Sequence, residues 1–184
     1  MRISAVSIPG LAVVTADTAK DERGAFTRFY CGETFAAAGL GFTPMQVNLS
    51  RNPARHTLRG MHYQDPPRAE AKLVHVTRGA IYDVALDLRP TSATYCRWFG
   101  IRLDATSSAG IFIPEGFAHG YITLEPDSDV LYHMGRIFEP GFGKGVRWND
   151  PTFAIDWPAH PAVISERDAH YPDYAGQDGP ETAD

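Results

Sequence analysis

The chain of 184 residues predicts an all-β domain, a jelly-roll barrel of two antiparallel sheets with a few short helices. Three observations carry the prediction. About ten short runs rich in Val, Ile, Tyr, Phe and Thr lie between clusters of Gly, Pro, Asp and Ser, the pattern of sandwiches and barrels. Helical periodicity is almost absent. Turn chemistry recurs at 77–83, 87–95, 103–110 and 124–130, which favours antiparallel neighbours, and this many strands in one small domain call for two packed sheets or a squashed barrel.

In chain order the expected strands are ISAVSIPGLAVVTA (3–16), GAFTRFY (24–30), MQVNLSR (45–51), TLRGMHYQ (57–64), KLVHVTRG (72–79), IYDVALDL (81–88), RWFGIRLDA (97–105), GIFIPEG (110–116), AHGYITLE (118–125) and DVLYHMGRI (129–137). One short helix is expected over GETFAAAGL (32–40), stopped near Gly39 and Gly41. A second begins near Ser165, where Ser, Glu and Asp suit a helix start. The polar, Gly- and Pro-containing stretch from about residue 174 to 184 reads as a frayed tail.

The length fits one domain over residues 1–184, and the 43% hydrophobic and 21% charged composition is that of an ordinary globular chain. A formal net charge of -5 argues against a nucleic-acid module while leaving room for a local basic pocket that binds an anionic small molecule. Cys31 and Cys96 are the two cysteines, with neither a CxxC nor a paired Cys/His spacing, so two reduced thiols are expected. The opening MRISAVSIPGLAVV lacks the parts of a signal peptide, and no apolar run approaches the ~18 residues that span a bilayer. A cytoplasmic protein without membrane contact is the expectation.

Charge enters segments that read as core strands. In TLRGMHYQ regular alternation puts Leu58, Gly60, His62 and Gln64 on one face and Arg59, Met61 and Tyr63 on the other. Gly60 is where a bulge would bring Arg59 and His62 to one cavity. From this segment alone His62 is at least as readily a hydrogen-bonded core histidine as a catalytic group. Lys72 heads the apolar run LVHV, where a lysine is almost never buried unpaired, although it could snorkel from a strand end. Tyr132 by itself reads as a core aromatic, and His119 as a loop-edge hydrogen-bonding group. A metal centre is disfavoured: position 64 is Gln, so there is no H-x-H, and Lys72 stands where an acidic ligand would be welcome. Neither a dinucleotide or P-loop motif nor a nucleophile elbow occurs.

The set DERG (21–24), Gln46 and Asn48 in MQVNLSR, LRGMHYQDPP (58–67), AKLVHVTRGAIYDVALDLRPTSATY (71–95), IPEGFAHGYITL (113–124), LYHM (131–134) and GVRWNDPTFAIDWP (145–158) resembles the dTDP-4-dehydrorhamnose 3,5-epimerase family over roughly residues 4–170. The resemblance implies a metal-free, cofactor-free jelly roll of the cupin type. It also implies a homodimer whose site is completed across the interface, and a 4-keto-6-deoxyhexose linked to dTDP as substrate. Residue by residue it implies His62 as base, Asp168 as its carboxylate partner, Tyr132 as acid on the opposite sugar face, and Lys72 and His119 around the reacting sugar. Arg23, Phe26, Gln46, Asn48, Arg59, Phe138 and Arg167 are implied as substrate contacts, with Arg23 reaching across the dimer.

Elementary chemistry agrees with these roles. A C–H beside a ketone becomes acidic because its negative charge moves to the carbonyl oxygen, which an ammonium such as that of Lys72 would stabilise. Inversion needs a base on one face of the ring and an acid on the other, as His62 and Tyr132 would supply. Arginine forks suit a diphosphate. Three positions depart from the family: Arg28 and Gly143 stand where glutamates are usual, and Phe138 where a tyrosine is frequent. The alternatives they leave are a C3-only epimerase or a 3,4-ketoisomerase on a related deoxysugar nucleotide. A sugar-nucleotide-binding barrel without catalysis and a metal-dependent cupin are the rivals from other classes.

Overall fold

The structure is a computed structural model that describes residues 1–176. The described residues form thirteen strands and two short helices. One sheet holds β1 (Arg2–Ala5), β2 (Ala12–Thr15), β10 (Ala109–Ile113), β7 (Lys72–Arg78), β12 (Ser128–Met134) and β5 (Gln46–Asn52), in that spatial order. The other holds β13 (Gly143–Gly145), β6 (Leu58–Gln64), β11 (Phe117–Thr123), β8 (Ala80–Asp87) and β9 (Trp98–Asp104). The paired neighbours in both sheets are antiparallel. From β5 to β8 each strand crosses to the opposite sheet, and so does each strand from β9 to β13. This is the two-sheet jelly roll that the turn pattern predicts. A separate hairpin pairs β3 (Asp17–Asp21) with β4 (Gly24–Arg28).

Strand alternation builds three apolar layers. Val74, Val76, Ile81, Ala85, Leu103, Ile111, Phe117 and Val130 meet between the sheets. Met61, Val84, Leu86, Ala118, Val146 and Phe153 fill the outer face of the five-stranded sheet. On the outer face of the other sheet, Val14, Leu73 and Phe112 meet Phe35 and Phe42, which lie on and just after α1 (Gly32–Ala37). Burying a large apolar side chain stabilises by roughly 1.5–3 kcal/mol, so these layers fix the strands that carry polar groups inward at one end.

The expected N-terminal strand is instead two, β1 and β2, because Pro9 and Gly10 turn the chain between them; Gly10 has φ 88°, the left-handed region that glycine tolerates. The pattern also missed β3 and β13. The first is polar along its length because it lies off the barrel, and the second is three residues held by pairing with β6. The second helix, α2 (Glu166–Ala169), starts where expected, with the Ser165 hydroxyl accepting from the Asp168 N–H at 3.1 Å. Of the tail expected from about residue 174, positions 177–184 lie outside the described residues. Tyr174 is anchored, its hydroxyl 2.8 Å from that of Tyr95 and its N–H donating to Asp150.

Candidate active site

A cavity of about 330 Å³ opens into the barrel, walled by strands of both sheets and by α2. The bulge in β6 shapes one wall. His62 pairs with His119 and Arg59 with Tyr121, so Gly60 and Met61 together face the single residue Gly120. Gly60 has φ 133°, and a Cβ there would lie 2.5 Å from the Gly120 Cα, so the two glycines allow the strands to pass. The extra residue brings both Arg59 and His62 to the cavity while Met61 is buried behind them.

His62 is fixed from behind. Val163 pins the C-terminal segment to β6 by accepting from the Leu58 N–H at 2.8 Å, and α2 then delivers Asp168. Its Oδ1 lies 2.8 Å from His62 Nε2, and its Oδ2 accepts from the Gly60 N–H at 3.1 Å. Burial pushes this carboxyl upward, but the hydrogen bond and charge of His62 and the donors at Gly60 and Ser165 hold it below its usual value. An ionised Asp168 accepts a hydrogen bond from Nε2–H and thereby leaves Nδ1 as the basic nitrogen.

Tyr132 stands on β12, with ring centroids 5.8 Å from His119 and 6.5 Å from Tyr121. Burial, with the neighbouring Tyr121 and Asp83, drives its phenol well above the ordinary tyrosine value, so it keeps its proton at neutral pH. Tyr121 in turn lies 3.0 Å from the Ser50 hydroxyl and donates to Asn52 at 3.3 Å. His119 Nε2 is 2.8 Å from the buried Asp83 carboxylate. Lys72 is buried, with Nζ 3.1 Å from Glu70 Oε1 and 3.1 Å from the His62 carbonyl to which it donates.

Among the predicted residues, Asn48, Arg59, His62, Lys72, His119, Tyr132, Phe138 and Arg167 line this cavity. Asp168 stands directly behind it. Gln46 braces its rim, donating to Asn48 Oδ1 at 3.0 Å and accepting from the Phe138 N–H at 3.2 Å. Arg23 and Phe26 are not brought there: they project from the β3–β4 hairpin, 84% (side chain) and 75% exposed, and Arg23 bonds to Asp21. Arg28 belongs to the same hairpin, whereas Gly143 lies in the cavity wall. A side chain at 143 would meet the Phe138 ring at 3.0 Å, so the glycine makes room for that ring.

Ser50, Glu70, Asp83 and Lys144 were not singled out from sequence, yet Ser50, Glu70 and Lys144 line the cavity and Asp83 holds His119. For Asp83 the signal was an acid inside the apolar run IYDVALDL. Four cations (Arg59, Lys72, Lys144 and Arg167) and one carboxylate, Glu70, line the wall, a positive lining in a chain of net charge -5. Among the described residues no three His, Cys, Asp or Glu side chains converge on a metal-sized point. The arrangement places an imidazole, a protonated phenol and an ammonium around one space, with a cationic mouth.

The sequence model of the family described as dTDP-4-dehydrorhamnose 3,5-epimerase matches residues 5–176. The dTDP-4-dehydrorhamnose 3,5-epimerase of Methanothermobacter thermautotrophicus is 38% identical over 92% of each chain. A dTDP-4-dehydrorhamnose 3-epimerase of Streptomyces niveus is 37% identical over 91% of this chain and 81% of its own. The crystal structure of dTDP-4-dehydrorhamnose 3,5-epimerase from Bacillus anthracis with TDP and PPi bound superposes with a TM-score of 0.90 at 34% identity, covering 94% of this chain and 99% of that one.

Proposed function

The chain belongs to the dTDP-4-dehydrorhamnose 3,5-epimerase family, and from that premise we propose how its cavity converts dTDP-4-dehydro-6-deoxy-D-glucose to dTDP-4-dehydro-L-rhamnose. It is an isomerase that inverts C3 and C5. The observation that carries the assignment of roles is that His62, Lys72 and Tyr132 line one cavity, with Asp168 bonded to the outer nitrogen of the imidazole.

His62 Nδ1 removes the proton from the carbon beside the C4 ketone. The electron pair moves to the C4 oxygen, where Lys72 donates to the forming oxyanion. Tyr132 then delivers its proton to the same carbon from the opposite face, and the enolate returns to ketone with inverted configuration. Once His62 has released its proton to solvent and Tyr132 has taken one back, the same steps at the carbon on the other side of the ketone complete the second inversion. One well-placed oxyanion donor is worth ~2.7–4 kcal/mol, and positioned acid–base catalysis about 10²–10⁴-fold. Arg59, Arg167 and Lys144 face the diphosphate, where planar guanidinium forks match phosphate oxygens.

The same proposal makes the protein a homodimer and the described barrel one catalytic domain of the cupin type. Arg23 and Phe26 extend away from their own cavity, and Val47 and Leu49 are exposed on β5, the edge of the six-stranded sheet. A second copy that covered this edge and received the hairpin would complete the nucleotide end of each site. The free thiols of Cys31 and Cys96 accord with a reducing, cytoplasmic location.

The test is incubation with dTDP-4-dehydro-6-deoxy-D-glucose in D₂O with NMR of the recovered sugar. Deuterium at both C3 and C5 is expected. Label at C3 alone would move the chain to the activity named for the Streptomyces niveus relative, which is nearly as similar. No label at either carbon would refute the catalytic assignment.

A further inference from the structure

Glu70 has no part in the acid–base pair, yet it is a buried carboxylate in the cavity wall, 7% exposed. Its Oε1 is 3.1 Å from Lys72 Nζ, and its Oε2 accepts from Gln64 Nε2 at 3.0 Å. The Gln64 amide is oriented independently of Glu70. Its Oε1 accepts the Glu139 N–H at 2.8 Å, and its Nε2 also donates to the Arg68 carbonyl at 3.2 Å. Gln64 therefore presents a donor to Glu70, and so does Lys72. Both oxygens at position 70 must accept, which a carboxylate does and an amide does not.

Lys72 has three ammonium donors, of which Glu70 and the His62 carbonyl take two. One remains for a ligand. A lysine side chain is long and flexible, and an unpaired ammonium in a buried wall is unfavourable. In a cavity that receives a diphosphate, an unrestrained ammonium has a strong alternative partner in the phosphate oxygens.

We propose that Glu70 is a positioning residue for the epimerisation: it holds the Lys72 ammonium at the sugar ketone and keeps it from the diphosphate. The assignment rests on the function proposed above. Glu70 also pairs the charge of that one ammonium before the enolate forms. The contribution is to orientation, and it is realised when charge develops on the C4 oxygen.

The experiment compares Glu70→Gln, Glu70→Asp, Lys72→Met and the double variant Glu70→Gln/Lys72→Met. The readouts are kcat and KM on dTDP-4-dehydro-6-deoxy-D-glucose and calorimetric affinity for dTDP. Misplacing a catalytic group by about 1 Å costs up to about 10²-fold, so Glu70→Gln should lower kcat by about 10- to 100-fold with KM changed by less than about threefold. Because Glu70 acts through Lys72, the same change in the Lys72→Met background should add less than about twofold. Glu70→Asp, which keeps the charge and both acceptors, should recover part of the rate, and dTDP affinity should tighten by up to about threefold in Glu70→Gln, where the released ammonium reaches the phosphate oxygens, and return to that of the unaltered protein in the double variant. Losses that multiply fully in the double variant, or an aspartate no better than glutamine, would overturn the proposal. Absence of turnover by the unaltered protein would instead overturn the epimerase chemistry on which it rests, and the proposal with it.

Discussion

Replacing Asp168 by Asn tests whether the imidazole is a base by virtue of its tautomer. The substitution preserves shape, so the outcome follows from the two hydrogen bonds that the carboxylate makes. Oδ2 accepts a backbone N–H from Gly60, a donor that cannot be turned around, and Oδ1 faces His62 Nε2 at 2.8 Å. In the variant the amide oxygen stays on Gly60, because the reverse orientation would leave that buried N–H facing an NH₂ group at a cost of about 1–3 kcal/mol. The NH₂ then points at Nε2 and selects the tautomer whose proton sits on Nδ1, the nitrogen that must be free to act as base. In a hydrolytic triad the same Asp-to-Asn exchange lowers kcat by about 10⁴-fold through the wrong tautomer, equivalent to ~5 kcal/mol of barrier. The expected loss here is on the order of 10³-fold, with dTDP affinity retained. It should be read as solvent deuterium entering C3, followed by NMR, with thermal unfolding run alongside to verify the fold. Exchange within about threefold of the unaltered protein would refute the tautomer argument and with it His62 Nδ1 as base.

Removing the phenol in Tyr132→Phe should separate two observables: net inversion falls by about 10²–10⁴-fold, whereas label exchange returned by His62 on its own face persists at C3. Equal loss of both would place Tyr132 outside the second protonation. Gly60→Ala should be structurally costly, since its Cβ would sit 2.5 Å from the Gly120 Cα at φ 133°. Backbone strain and overpacking each contribute about 1–3 kcal/mol, so calorimetry should show the melting temperature lowered by on the order of 10 °C. His75 is fully buried, and desolvation followed by the nearby His133 lowers its pKa to about 3. Between about pH 6.5 and 3 the unfolded chain binds a proton at this site that the folded chain refuses, so stability drops as pH falls through that window, by up to ~1.4 kcal/mol per unit. Urea unfolding at pH 7 and pH 5 should show His75→Leu losing about 2 kcal/mol less than the unaltered protein across that interval, and parallel losses would contradict it.

The fold was legible wherever a strand contributes to an apolar layer, because burial on alternate faces imposes a period of two on the residues. Where no layer is served the signal vanishes. DTAKD in β3 and GKG in β13 carry no apolar alternation, the first lying off the barrel and the second held by backbone pairing to β6. The N-terminal run read as one strand because VSIPGLAV keeps its hydrophobicity through the turn, where Ile8 and Leu11 are buried. At the site, regular alternation alone would have placed Arg59 and His62 on opposite faces. The glycine between them marked the bulge that reconciles them, since a close passage of two backbones leaves a sequence trace in the only residue that fits. Glu70 and Asp83 were not legible in the same way. Asp83 owes its role to His119 on the paired strand β11, and Glu70, two residues ahead of Lys72 at the head of β7, owes its role to a side-chain approach of 3.1 Å that a single sequence does not record.

On the proposed roles, one acid and one base serve two carbons. C3 and C5 flank the same carbonyl, so both enolates place their charge on a single oxygen, and one fixed ammonium stabilises both. The base and the acid must be fixed just as firmly, since a proton has to leave from one face and return from the other. Each is held by a contact away from the sugar: the imidazole by Asp168, and the phenol between the rings of His119 and Tyr121. What must move between the inversions is therefore the sugar rather than the wall. A ring tethered through a diphosphate at the cationic mouth can turn about that tether while its ketone stays beside Lys72.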